Sequence, residues 1–232
     1  MAASPSKIAH VLAQLRDQVR VREARSTVSV KTAEGHLSTG MRALDAALSG
    51  GLPRGKLIEL CGPRSSSRLS IAVSAMREAV GTGESVALID VADAFDPRSA
   101  ESSGLSFERL LWIRPRTLLD GFKVSDLVLD AGGFGLVVLY LCGVSPVGLR
   151  RMGLDAIATR LRHRAERAQS ALLVVVDAPL LSSVALAGRL RTTRARTHWH
   201  GQGVRLLDGL DGEVALELKQ AVLAIPLSFA VR

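Results

Sequence analysis

LSTGMRALDAALSGGLPRGKLIELCGPRSSSRLS, residues 37–70, decides how the rest of the chain is read. It predicts a helix, a Gly-Gly-Leu-Pro-Arg-Gly turn at 50–55, a buried strand over Lys56–Cys61, a phosphate-type loop and a second helix. Small residues between a strand and a helix let backbone N–H groups approach an anion, and the free N–H groups of the helix attract it. In an ATPase a triphosphate would sit here. The loop nevertheless lacks the residues that hold one, and that mismatch governs the functional reading.

Working outward, apolar strands alternate with helices. After the loop, Leu69, Ala72, Val73, Met76 and Val80 make an apolar stripe, closed by Gly81-Thr82-Gly83. Strands follow at Ser85–Val91, Leu110–Arg114, Leu136–Cys142 and Ala171–Asp177. Between them stand an Asp96-Pro97 turn with a short helix, a helix over Leu118–Ala131 and a long basic helix from Pro146 to about Gln169. This order predicts a mostly parallel sheet with helices on both faces. From Arg189 the period becomes two. Strands near Arg191–His200, Val204–Leu207, Val214–Leu218 and Leu223–Val231 predict an antiparallel extension, with Asp208–Gly212 as a hairpin turn.

The first 36 residues read as a separate arm, and 37–232 as the core domain. Ser4-Pro5 suits a helix start, and Ile8, Val11, Leu12, Leu15 and Val19 form one apolar face. A β-like run follows at Thr27–Lys31. That face either packs on its own domain or docks on another protein.

The chain has 232 residues, 47% of them hydrophobic but only 3% aromatic, so small aliphatics fill a sizeable core, as in parallel sheets. The net charge of +8 favours nucleic acid or an acidic partner as a long-range field, and equally fits an ordinary basic surface. Cys61 and Cys142 lie in or beside apolar runs and suggest neither a disulfide framework nor a metal site. No apolar run reaches the roughly 18 residues needed to span a bilayer, and the N-terminus has no signal-peptide core. A cytoplasmic protein without membrane attachment is expected.

The order of elements, together with LSTG…LD.AL.GGLP.G…E..GP.SS and with LIDVADAFDPRSAESSGLSFERLL (88–111), resembles the RecA recombinase family. What the resemblance implies is a RecA-like core whose loop reads Gly-Pro-x-Ser-Ser-Gly-Lys-Thr. Here it reads Gly62-Pro63-Arg64-Ser65-Ser66-Ser67-Arg68-Leu69. Ser67 takes the place of a glycine, Arg68 replaces a lysine with a bulky planar fork, and Leu69 offers magnesium no hydroxyl. In the family's register, the glutamate that polarises water falls at Ala92 and the magnesium-supporting aspartate near Tyr140. The adenine-stacking tyrosine falls at Ser99. Gly62, Ser67, Arg68, Leu69, Ala92 and Tyr140 therefore mark a degenerate nucleotide site, with no catalytic residue, cofactor or metal expected. Removing several terms worth about 2–4 kcal/mol each leaves no useful rate of phosphoryl transfer.

Asp177, ending an apolar run, has the look of a metal-supporting aspartate, but by order it lies one strand further on and reads as a strand-end residue capping a turn. Arg160, Arg164 and Arg167 share a helix face, either solvated or meeting phosphates. Arg189, Arg191, Arg194 and Arg196 are candidate DNA contacts, although edge strands also carry charge to avoid aggregation. His198 and His200 lack further ligands nearby. A short RecA-like core without the catalytic set resembles the ImuA family. That resemblance implies a non-hydrolysing adaptor in DNA-damage-induced mutagenesis, with RecA, ImuB and a translesion polymerase as partners and a RecA-docking face at Ile8, Val11, Leu12 and Leu15. Three alternatives stay open: a divergent RecA/KaiC-type ATPase using Asp90, Asp93 or Asp177, a basic DNA-binding regulator, and a cell-division inhibitor.

Overall fold

The computed structural model describes residues 35–150, 152–193, 195–201, 206–218 and 221–230. The face at Ile8, Val11, Leu12 and Leu15, and the strand expected at Thr27–Lys31, lie outside the described residues.

Four apolar runs form the centre of one sheet because both of their faces are covered. They are β3 (Leu57–Cys61), β4 (Ser85–Asp90), β6 (Phe134–Tyr140) and β7 (Ala171–Val176), buried along nearly their whole length. Flanking them are β5 (Leu110–Ile113), β8 (Gly188–Thr192), β10 (Leu206–Leu218) and β11 (Ala221–Ala230), and the strand order is β11-β10-β8-β3-β7-β6-β4-β5. From β8 to β5 all pairings are parallel. β10 pairs antiparallel with β8, with β11 and with β9 (Arg196–His200). A small antiparallel pair, β1 (His36–Leu37) with β2 (Leu52–Pro53), opens the described chain. It straddles the boundary drawn between residues 36 and 37.

Helices cover both faces. α1 (Arg42–Ala47), α2 (Arg68–Gly81) and α3 (Pro97–Ser102) lie on the face whose core includes Leu60, Met76, Leu88 and Val138. α4 (Leu118–Ala131) and α6 (Leu154–Ala168) lie on the other, over Leu57, Ile89, Leu139 and Val174. The α/β class, the mostly parallel sheet and the antiparallel extension are as expected.

Three local expectations need correction. The long helix from Pro146 is two helices, α5 (Pro146–Arg150) and α6, because Gly153 adopts the left-handed conformation (φ 60°) and starts α6 afresh. Asp208–Gly212 is not a hairpin turn. It lies inside β10, where a register shift between Leu207 and Gly209 absorbs Asp208 and Gly209–Gly212 pair with Ala230–Leu227. The reversal falls instead between Leu218 and Ala221, which are paired partners. Finally, Ala72, Val73 and Met76 of the expected α2 stripe are buried, together with Arg68, Ile71, Ser74, Ala75 and Ala79, while Leu69 and Val80 are only partly buried. Alanines let the helix approach the sheet, and the rotation carries Arg68 inward.

Buried charge is matched by buried counter-charge. Arg54 and Glu84 pair at 2.6 Å with side chains 6% and 10% exposed. A Cβ on Gly135 would lie 2.0 Å from Glu84 Oε2, so only glycine leaves room for that pair.

Candidate functional site: a closed phosphate loop

The C-terminal ends of β3, β4, β6 and β7 meet beside the loop at Gly62–Ser67, the place where parallel sheets hold ligands. The loop turns through two serines with positive φ, Ser65 (58°) and Ser67 (66°). For residues with a Cβ this conformation costs about 1 kcal/mol or more each, and their neighbours hold it. The Ser65 carbonyl accepts the Ala195 N–H at 3.3 Å. Ser66 Oγ lies 2.6 Å from Thr192 Oγ1, which is also 3.2 Å from the Cys61 carbonyl oxygen. Gly62 faces the same threonine so closely that a Cβ there would come within 2.1 Å of Thr192 Oγ1. Ser67 Oγ is buried without a hydrogen-bond partner, and Gly212 packs against it. The strand β8 and the segment leading to β9 thus press on the loop from one side.

Arg68 closes it from the other. It is the first residue of α2, yet its side chain is 8% exposed and runs beneath the loop. Nη1 donates to Asp177 Oδ1 at 2.9 Å, to the Val176 carbonyl, and to Cys142 Sγ at 3.1 Å. The other oxygen of Asp177 accepts the Gly143 N–H at 2.7 Å. One guanidinium and one carboxylate therefore tie α2 to the end of β7 and to the loop after β6. Burial pushes the Cys142 thiol up to about 11, against a lowering pull from Arg68. Burial also raises the Tyr140 phenol.

The remaining site positions are occupied by structural work. Leu69 packs partly buried on the core. Tyr140 is buried and pairs in register with Asp90. The Asp90 carboxylate, wholly buried, accepts the N–H groups of Ala94 and Phe95 at 3.0 Å each. Asp93 stands exposed, 3.4 Å from Arg114, whose guanidinium lies over the Trp112 ring. Ala92 brings only a methyl group beside Gly143. Ser99 donates to Asp96, the N-cap of α3. Asp90, Asp93 and Asp177, the acids a divergent ATPase would draw on, are each engaged by this chain's own groups.

The basic segments divide in the same way. Arg189 is not a surface contact. Its side chain is 16% exposed and bonds to Glu59, a fully buried carboxylate that also accepts the N–H groups of Leu180 and Leu181. It donates as well to the Leu181 carbonyl. Arg191 is exposed and sits 2.8 Å from Glu217. Arg196 is exposed on β9, and Arg194 lies outside the described residues. The continuous basic ribbon expected over Arg191–His200 is interrupted between Thr192 and Arg196. On α6, Arg160 and Arg164 pair with Asp126 of α4, and Arg164 also with Asp130. The Glu59 and Thr192 roles escaped sequence reading. A lone glutamate inside Leu-Ile-Glu-Leu-Cys was the signal for the first, since a charge in a doubly covered strand needs a partner.

The model of the RecA N-terminal domain matches residues 18–146, more than half of the 232 residues. This chain belongs to that family. Among RecA N-terminal domain relatives, Protein RecA of Lactobacillus delbrueckii subsp. bulgaricus is 36% identical over 111 residues, 47% of this chain and 34% of that protein. Protein RecA of Lactobacillus acidophilus is 38% identical over 102 residues, 44% and 28% of the two chains. Protein RecA of Mycobacterium bovis is 37% identical over 118 residues, 50% and 14%. The matches span about a third or less of these curated relatives. The RecA N-terminal domain match includes Arg68 but ends before Asp177, so the ion pair joins a matched segment to an unmatched one.

Proposed function

We propose that the protein is a non-hydrolysing RecA-like adaptor of the ImuA type. In this reading it acts in the cytoplasm during DNA-damage-induced mutagenesis, binds RecA and an ImuB-containing translesion polymerase assembly, and caps or modulates RecA filaments. The observation that carries it is Arg68. The only basic side chain at the lysine position is committed to Asp177, Val176 and Cys142, and the next residue, Leu69, has no hydroxyl for magnesium. A loop so arranged supplies neither the cation on the phosphates nor the metal ligand, and the relatedness to RecA supports a partner drawn from RecA's own assembly.

Mg-ATP turnover and RecA binding measured on one preparation test the reading. The expected result is no hydrolysis above a buffer control together with a stable complex with RecA. Turnover with tight ATP binding favours the divergent ATPase instead. Deleting residues 1–31 is expected to weaken RecA binding, and unchanged binding removes the docking face at Ile8, Val11, Leu12 and Leu15 from the proposal. Direct DNA contact is a second reading, favoured by the exposed Arg196 and the net charge of +8. It predicts an affinity that falls steeply with salt and weakens in Arg196→Ala.

A further inference from the structure

We propose that the Arg68–Asp177 pair is an autoinhibitory latch on the phosphate loop. The backbone of Arg68 stands where α2 leaves the loop, so its guanidinium has two places to go: up to the loop, or beneath it. It goes beneath because Asp177 waits there, itself fixed by the Gly143 N–H. The latch ties α2, the end of β7 and the loop after β6 into one unit. A bound anion would otherwise have to hold these parts together.

Its geometry is that of a contact that can open. Asp177 is 39% exposed, so water reaches the carboxylate, whereas the arginine itself is covered. Without the charge on Asp177, Arg68 keeps only a carbonyl and a thiol, both weaker acceptors for a guanidinium. The better partner is then a phosphate anion at the loop, which can take two parallel N–H bonds from the planar fork. The buried, unpartnered Ser67 Oγ offers one more donor on that side. The protein therefore retains a loop able to accept a polyphosphate and keeps the cation at the start of α2 withdrawn from it, while Arg64 stays exposed in the loop. This rests on the reading above only in taking the loop of the unaltered protein to be empty.

The test is calorimetric titration with inorganic tripolyphosphate at low salt, using unaltered protein, Asp177→Asn and Arg68→Met/Asp177→Asn, each checked for fold by circular dichroism. Asp177→Asn is expected to bind at least about tenfold more tightly than the unaltered protein, the scale of one hydrogen bond to a charged group. The double variant is expected to lose that gain. Folded Asp177→Asn that binds no more tightly overturns the proposal, and so does a double variant that binds as well as the single one. Should Asp177→Asn not fold, Asp177→Glu keeps the charge but displaces it from Gly143. A smaller gain in the same direction supports the latch, and no gain overturns it. ATP turnover by the unaltered protein would sink the adaptor reading while leaving these comparisons standing.

Discussion

Two arginines turn inward onto a carboxylate at two regions of the sheet, and they do so differently. Beneath the antiparallel extension, Arg189 meets Glu59, which has no exposure and is saturated by two backbone N–H groups besides the guanidinium. At the loop, Arg68 meets Asp177, which is 39% exposed and has one backbone donor. The first pair sits where the β-strand passes through the core, its carboxylate wholly covered. The second sits at the sheet's ligand-holding edge. The contrast teaches that a buried arginine can hold a sealed carboxylate in one region and a water-accessible one in the other.

Breaking the architectural pair should cost most. Arg189→Ala leaves the Glu59 carboxylate wholly buried without its counter-charge, and a loss of about 3–5 kcal/mol is expected in urea denaturation. A value below about 1 kcal/mol would erase the contrast. Asp177→Asn should cost less, about 1–3 kcal/mol, since water solvates that side and the amide still accepts from Gly143. Local hydrogen exchange in residues 62–70 and 141–145 should rise more than exchange in the strands.

The cysteines sharpen the same comparison. Burial, with Glu59 nearby, pushes the Cys61 thiol up to about 12, and burial holds Cys142 at about 11, so neither forms a thiolate at neutral pH. Iodoacetamide should label neither in the folded protein. In Asp177→Asn, Cys142 should become reactive and Cys61 should stay inert, because only Cys142 touches Arg68. Equal labelling of the two would mean global rather than local opening.

The smallest effect concerns a third carboxylate, Asp211, which is exposed and links three strands. Ser228, and then His198, hold it below its ordinary value of 3.8. Because the folded value is the lower one, the stabilisation is present in full above the ordinary value and fades as pH falls through the folded one. Ser228→Ala should therefore lower the urea midpoint slightly near neutral pH, with the difference vanishing in strong acid. A difference that grows on acidification would reverse the sign.

The parallel half was legible because each strand is a run of aliphatics bounded by turn residues, and burial on two faces demands just that composition. The extension was harder. Asp208-Gly209 and Asp211-Gly212 look like turns, yet cross-strand pairing on both sides of β10 outweighs local preference. The missing lysine, hydroxyl and acids were readable from the loop and from Ala92 and Tyr140. The direction of Arg68 was legible only in part: it falls in helical register with Ala72, Ala75 and Ala79, but its carboxylate lies 109 residues away. Arg189, read as a surface charge, was misjudged for the same reason, since Glu59 lies 130 residues from it.

The three partners of Arg68 also bear on what a lysine could do in its place. A mutation placing lysine at position 68 would end the side chain one bond short of Nη1, the single nitrogen that meets Asp177, the Val176 carbonyl and Cys142. Such a variant forfeits part of the anchor without gaining a hydroxyl at Leu69 or a carboxylate at Ala92 or Tyr140. The arginine is thus a keystone: exchanged alone, it takes support from the end of β7 and the loop after β6 and supplies no metal ligand in return.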